Sequence, residues 1–235
     1  MEENINSTKR NARLAGLIYF LLVVTGMFGI MYVSTQTFVN GDSAATAEKI
    51  IANEFLFRAG IVSQLISQTL YVFLVLALYR LLKEVNEHQA KLMVALVITA
   101  VPIAFVIEAF KFAALMILKG EVLTTLELSQ KQDFAIFFLK LNSYGISILK
   151  IFWGLWLIPF GQLVYKSGFM PRILGVFLIL GGLAFVIESF TYLLFPDYRS
   201  VVNQFTYIFY TIAELSIVFW LLIIGVRTPK LTKAQ

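Results

Sequence analysis

Residues 173–195 read ILGVFLILGGLAFVIESFTYLLF, a run of 23 residues with a single charged side chain, Glu188. At 1.5 Å per residue, a helix over this run is about 35 Å long. That crosses a hydrocarbon core of about 30 Å, for which about 20 mostly apolar residues suffice. Five more runs meet the same test, giving Leu14–Val33, Phe57–Leu82, Leu92–Leu118, Phe137–Tyr165, Ile173–Phe195 and Phe205–Val226. The expected fold class is an all-α membrane protein, a bundle of six transmembrane helices forming one transmembrane domain over residues 1–235. The composition agrees. Hydrophobic residues make up 59% of the chain and charged residues 14%, against about 45–50% and about 25% in soluble domains. Mean hydropathy is +0.82. Such a chain has too little charge to cover a soluble surface, so a soluble enzyme, a disordered chain and a coiled coil are excluded.

The residue inventory narrows the chemistry. There is no cysteine, hence no disulfide, thiolate nucleophile or Cys-ligated metal site. The one histidine, His88, sits in a charged loop and reads as solvated rather than catalytic. No phosphate-binding G-x-x-x-x-G-K-[ST] run and no H-E-x-x-H zinc motif occurs. Neither cofactor nor metal is expected, and the partner implied is the lipid bilayer rather than nucleic acid. The first apolar run exceeds the usual signal-peptide core and no A-x-A site follows it, so it reads as a span.

Six spans place both termini on one side. That side carries Lys9, Arg10, Arg13, Arg80, Lys83, Lys91, Lys166, Arg172, Arg227, Lys230 and Lys233, whereas the other carries Lys49, Arg58, Lys119, Lys131 and Arg199. The excess of basic residues assigns the first side to the cytoplasm. On the outer side, Val39–Glu54 opens with the turn residues Asn40-Gly41-Asp42, and Asp42 or Ser43 can cap a helix. Ala47, Ile50, Ile51 and Phe55 recur at helical spacing. The segment reads as an amphipathic outer helix, or as a plain extension of span two. Lys119–Asp133 is expected to lead span four out of the membrane, and Pro171 to occupy the first turn of span five. Pro159 is expected to kink span four or end its regular part.

An internal echo links spans three and five. Ala104-Phe-Val-Ile-Glu-Ala-Phe110 and Ala184-Phe-Val-Ile-Glu-Ser-Phe190 differ at one position in seven. If the echo is structural, spans two and three form one repeat and spans four and five a parallel second, related by an axis along the membrane normal. Chance similarity between apolar helices is the alternative.

The costly residues lie inside the spans. Glu108, Lys111, Lys140, Lys150, Glu188 and Glu214 each cost about 2.5–3.5 kcal/mol at mid-membrane on insertion scales, so they pair or line a wet cavity. Counted from the cytoplasmic ends, Glu108, Lys150, Glu188 and Glu214 lie about 18–24 Å deep, in the outer half. Faces agree with depth. Lys140, Ser143, Ser147 and Lys150 form one stripe on span four. Gly60, Gln64, Ser67, Gln68 and Tyr71 form one on span two. Tyr207, Tyr210 and Glu214 share a face of span six. The candidate site is therefore Glu108, Lys150, Glu188, Glu214, Gln64, Gln68, Ser143, Ser147, Tyr207 and Tyr210, read either as a polar pocket or as a sealed ion-pair network. Lys150 needs a carboxylate, Glu188 or Glu214. Glu108 and Lys111, three residues apart, can neutralise one another.

Three stretches carry a family resemblance: RLAGLIYFLLVVTGMFG at 13–29, GDSAATAEKIIANEFLFRAGI at 41–61 and FWGLWLIPFGQLVYKSGFMPRILG at 152–175. Their specific elements are Gly41, Asp42, Thr46, Ala47, Phe57 and Arg58, then Tyr165, Ser167, Gly168, Pro171, Arg172, Leu174 and Gly175. The chain resembles an uncharacterised bacterial integral-membrane family, one of the domain-of-unknown-function families. The resemblance covers nearly the whole chain and implies a multi-pass protein of the bacterial cytoplasmic membrane with this six-span layout. It implies no catalytic residue.

Three functional classes remain. One is binding or transport of a small polar or amphipathic solute through the outer-half pocket. A second is a non-catalytic regulator or partner subunit whose charges brace the helices. An intramembrane enzyme is the weakest, since no Cys, useful His or intramembrane Asp supports it. The orientation is testable: in intact cells an impermeant thiol reagent should label Ala45→Cys and spare Gly168→Cys. Labelling of residue 168 would overturn the topology.

Overall fold

The structure, a computed structural model, describes residues 2–227, with side chains from Thr8 onward. Lys230 and Lys233, placed on the cytoplasmic side above, lie outside the described residues. Among the described residues eight α-helices follow one another: α1 (Glu2–Met27), α2 (Val33–Thr37), α3 (Ser43–Ala52), α4 (Glu54–Leu82), α5 (Glu87–Leu118), α6 (Leu128–Lys166), α7 (Arg172–Leu194) and α8 (Arg199–Phe219). A π-helical turn, Phe28–Tyr32, joins α1 to α2, and another, Trp220–Ile224, continues α8. No strand occurs among the described residues. Six helical stretches are long and apolar enough to cross a membrane: Thr8–Thr37, Glu54–Leu82, Glu87–Leu118, Leu128–Lys166, Arg172–Leu194 and Pro196–Ile224. Their outward apolar side chains, such as Val106, Ile187 and Ile223, are more than half exposed in the protein alone, as expected where the solvent is hydrocarbon. The chain is a multi-pass membrane protein.

Local chemistry sets the helix ends. The Asp42 carboxylate accepts the backbone N–H of Ala45 at 2.9 Å, and so caps α3. Thr46 closes the same turn, accepting from the N–H of Val39 at 3.0 Å and donating to the Asp42 carbonyl at 2.8 Å. Asn53 breaks the helix with φ −118° and ψ 37°, so α3 is a separate helix rather than an extension of α4. Its buried face holds Thr46, Ala47 and Ile50; Ile51 and Phe55, assigned to the apolar face by spacing, are exposed, and Phe55 lies beyond the break at Asn53, which interrupts the periodicity. The helix limits bear on two prolines. α6 does not end at Pro159 but continues to Lys166, as α5 continues past Pro102, since helix in hydrocarbon has no alternative way to satisfy its backbone. Pro171 precedes α7 as its N-cap, with an extended ψ of 131°, instead of sitting in its first turn. Gly168, at φ 73°, turns the chain between α6 and α7. Lys166, exposed and helical, is therefore a better labelling position than Gly168 for the α6–α7 turn.

The helices distribute over two compact units. One comprises the segments up to Phe20, Tyr71–Ala100 and from Lys150 onward; the other comprises Leu21–Leu70 and Val101–Leu149.

In the first unit, α6 and α7 touch backbone to backbone. A Cβ on Gly182 would lie 2.6 Å from the carbonyl oxygen of Gly154, and one on Gly175 would lie 2.5 Å from that of Gly161. The reciprocal substitutions meet the same pairs, so the contact is mutual. The two glycines on each helix are seven residues apart and pair in opposite order, which makes the helices antiparallel in one register. Small residues permit such approach where apolar surface alone gives no driving force between helices. The next contact repeats the device: a Cβ on Gly181 would meet the Cβ of Ala213 on α8 at 2.6 Å. At the far end of α8, Gly16 of α1 lies against the backbone of Leu222 in the π turn, and the Arg13 guanidinium donates to the Ile223 carbonyl at 2.9 Å.

The second unit is braced by polar side chains. From α4, the Ser63 hydroxyl donates to the Thr25 carbonyl at 2.8 Å, the Gln64 amide to the Gly26 carbonyl at 2.7 Å and the Ser67 hydroxyl to the Leu22 carbonyl at 3.1 Å. Asn142 of α6 donates to the Ile107 carbonyl of α5 at 2.9 Å, beside Gly145, whose missing side chain makes room for Ile107. Ile50, Phe57, Ile61 and Leu115 form the apolar core. At its margin Glu54 accepts from Arg58 at 2.7 Å and from Lys119 at 3.1 Å, while Lys119 also reaches Glu121. Glu54, then Glu121, hold the Lys119 ammonium above the usual lysine range.

The glycine contact predicts a steep cost. Gly182→Ala should destabilise the protein by about 1–3 kcal/mol through overpacking, read as a lower Tm in detergent. Gly26→Ala should cost less, because the nearest atom to its new Cβ is a side-chain hydroxyl at 3.2 Å rather than backbone.

Candidate functional site

The glycine register determines where the charges fall. One turn from the Gly154–Gly182 contact, the Lys150 ammonium and the Glu188 carboxylate meet at 2.5 Å. The Glu188 side chain is 7% exposed and that of Lys150 21%, so the acid is enclosed and the lysine side chain less so. The second Glu188 oxygen lies 3.4 Å from the Thr206 hydroxyl of α8. Glu188 is therefore held from two helices, and Thr206 is a site residue that the sequence reading missed. Its spacing supplied a signal: Thr206, Tyr210 and Glu214 follow i, i+4, i+8.

From Glu188 the polar path continues along α8. Tyr210 stacks on Phe185 with ring centroids 4.1 Å apart, and its hydroxyl faces Glu188. Tyr207, exposed, packs its ring edge-on against Tyr210 at 5.5 Å. One turn beyond is Glu214, half-buried. Unlike the other two span glutamates, it has no ion-pair partner among the described residues. Its neighbours are phenols. Tyr19 of α1 and Tyr71 of α4 both lie close to it, and both pack against Trp156, with centroids 6.1 and 5.1 Å away. Trp156 itself stacks on Phe160 at 5.3 Å. Tyr19 is 1% exposed. Its hydroxyl is enclosed and lies toward the Glu214 carboxylate, its acidic neighbour. Tyr19 was not among the sequence candidates, since a lone tyrosine in an apolar run carries no signal.

The remaining candidates lie in the second unit and are committed locally. Lys111 neutralises Glu108 at 3.1 Å on the same helix. Gln64 and Ser67 bond carbonyls of α1. Ser147 is buried and donates to the Ser143 carbonyl at 3.1 Å, whereas Lys140 and Ser143 face outward, so the stripe read along span four divides between inside and outside. Gln68 is buried with its Oε1 unpaired. His88 is exposed at the start of α5. No cluster of three His, Cys, Asp or Glu side chains suited to a metal occurs among the described residues.

An all-helical, six-span chain with this pattern is a multi-pass membrane protein of a family without assigned chemistry. The chain belongs to the family described as Domain of unknown function (DUF4386), whose profile matches residues 14–225. An uncharacterized protein of Archaeoglobus fulgidus is 35% identical over 75 residues, which is 32% of this chain and 43% of that protein. The chain thus matches less than half of that relative's length. No solved structure matches.

The ion pair gives a direct test. Lys150→Met leaves Glu188 enclosed without a cation and should destabilise by about 3 kcal/mol. Adding Glu188→Gln should recover much of the loss, read by thermal melts in detergent as a double-mutant cycle. Equal melts for Lys150→Met and wild type would show that the pair contributes nothing.

Proposed function

We propose that the protein binds or transports a small polar or amphipathic solute, using the polar side chains that α6, α7 and α8 gather in the first unit. The supporting observation is Glu214. Glu108 and Glu188 are neutralised by lysines, whereas Glu214 lies within a span with no ion-pair partner among the described residues and with tyrosines beside it. An intramembrane carboxylate without a cation partner is a functional group by default. The half-buried Lys150, paired with Glu188, and the exposed Tyr207, packed on Tyr210, add polar groups on the same helices. The location we infer is the bacterial cytoplasmic membrane, with both termini cytoplasmic and the polar region in the outer half; the charge bias of the loops supports that orientation.

A second reading is a non-catalytic regulator or partner subunit. The two closed pairs, Lys150 with Glu188 and Lys111 with Glu108, favour it, because sealed pairs hold helices in register without needing a ligand.

Water access separates the readings, and the absence of native cysteine provides a clean background. In proteoliposomes, Tyr210→Cys and Lys150→Cys should react with a charged methanethiosulfonate, while Ile187→Cys on the apolar surface should not. Inert cysteines at both polar positions would favour the bracing role.

A further inference from the structure

We propose that the first unit binds the headgroup of an anionic phospholipid where the start of α1, the α6–α7 turn and the end of the last span meet, through Lys9, Arg13, Arg172 and Arg227. This surface is separate from the polar groups about Glu214, so it does not rest on the solute-binding reading. Its charge is one-sided. Residues 9–20, 160–175 and 216–227, which build it, carry six basic side chains and no acidic one. None of Lys9, Arg13, Arg172 and Arg227 forms an ion pair among the described residues. The three arginines are exposed and Lys9 is half-buried. Three contacts gather them. The Arg227 backbone N–H donates to the Phe169 carbonyl at 3.0 Å, which sets the end of the last span against the turn leading into Arg172. The Arg13 guanidinium donates to the Ile223 carbonyl at 2.9 Å. A Cβ on Gly225, two residues before Arg227, would lie 3.3 Å from Cγ of Lys9 and 3.5 Å from Cγ of Arg13. Like charges held together repel, and a bound anion removes that repulsion.

Two features select a lipid over a free anion. One is depth. Lys9 and Arg13 lie near the start of the span Thr8–Thr37, Arg172 opens the span Arg172–Leu194, and Arg227 follows the end of Pro196–Ile224. The cluster is therefore at a membrane boundary, the level of lipid phosphates, where basic groups attract anionic headgroups at about 1 kcal/mol each. The other is the adjoining surface. Leu14, next to Arg13, and Ile173, next to Arg172, are each 53% exposed, and Ile223 is 64% exposed. Charge beside exposed apolar surface matches an amphipathic molecule, whose phosphate and acyl chains are joined. The arginines also suit phosphate. Arg172 lies over the Tyr165 ring, 5.5 Å from its centroid, and Arg227 over the Trp220 ring at 4.6 Å. A guanidinium resting by its face on a ring keeps its in-plane N–H donors for phosphate oxygens. Tyr165 and Arg172 belong to the Tyr165–Gly175 motif, to which the solute-binding reading gives no task.

The test uses the full-length protein in dodecyl maltoside, with Tm followed as dioctanoyl-phosphatidylglycerol, dioctanoyl-phosphatidylcholine or inorganic phosphate is added at constant ionic strength. The phosphatidylglycerol should raise Tm saturably, as a ligand of the native state does, and the other two should not. The double change Arg172→Gln with Arg227→Gln should weaken half-saturation about tenfold. Arg80→Gln with Lys83→Gln removes the same charge from the α4–α5 turn and should leave half-saturation where it is in the wild type. If the first double variant fails to fold, Arg172→Gln alone decides, and an unchanged half-saturation in it overturns the site. Absence of a saturable response to phosphatidylglycerol overturns the proposal, as does an equal response to phosphatidylcholine. An equal response to inorganic phosphate overturns it in favour of a free anion. Equal weakening in the two double variants overturns it in favour of diffuse attraction to the whole basic end.

Discussion

The backbone contact between α6 and α7 governs the first unit. Two glycine pairs, Gly154 with Gly182 and Gly161 with Gly175, let the helices approach until carbonyls of one occupy the space of absent side chains on the other. Hydrocarbon offers no hydrophobic gain for bringing apolar helices together, so close packing and interhelical polar bonds must supply the association. Once the register is set, Lys150 and Glu188 fall opposite one another. The enclosed ion pair follows from the glycines, and it in turn aligns Thr206 of α8 on the second oxygen of Glu188. Gly181 against Ala213 keeps α8 in that same register.

The second unit meets the same demand with different chemistry. Side-chain hydroxyls and amides of Ser63, Gln64, Ser67 and Asn142 bond to backbone carbonyls on neighbouring helices. Glu108 is neutralised by Lys111 on its own helix. These groups are consumed in holding helices together. Glu214 differs because it has no ion-pair partner among the described residues, which sets it apart from the more numerous polar residues of the second unit.

The repeated Ala-Phe-Val-Ile-Glu motif shows how little a local match says about role. Glu108 and Glu188 sit in nearly identical heptapeptides, yet one pairs three residues along its own helix and the other across to α6. Offsetting Lys111 by the distance between the two motifs gives Thr191, which cannot neutralise an acid. The partner of a charge is decided by what the neighbouring helix presents, and that lies outside the motif.

Much of the fold was legible in the sequence. Apolar runs of about 20 residues or more leave a chain one way to satisfy its backbone in lipid, so six spans and their approximate limits follow from composition alone. A helix start at Asp42 or Ser43 was legible too, because capping is a local interaction, whereas its separation from the next span at Asn53 was left open by the sequence. The spacing of Tyr207, Tyr210 and Glu214 along one face was equally readable, being a property of a single helix. What only the tertiary structure decided was pairing between helices. Which carboxylate answers Lys150, that Ser143 faces outward while Ser147 is buried, and that Tyr19 of the first span comes to face Glu214 of the last all depend on interhelical register. Glycine contacts set that register, and a glycine's effect depends on the surface it meets, which no single helix encodes.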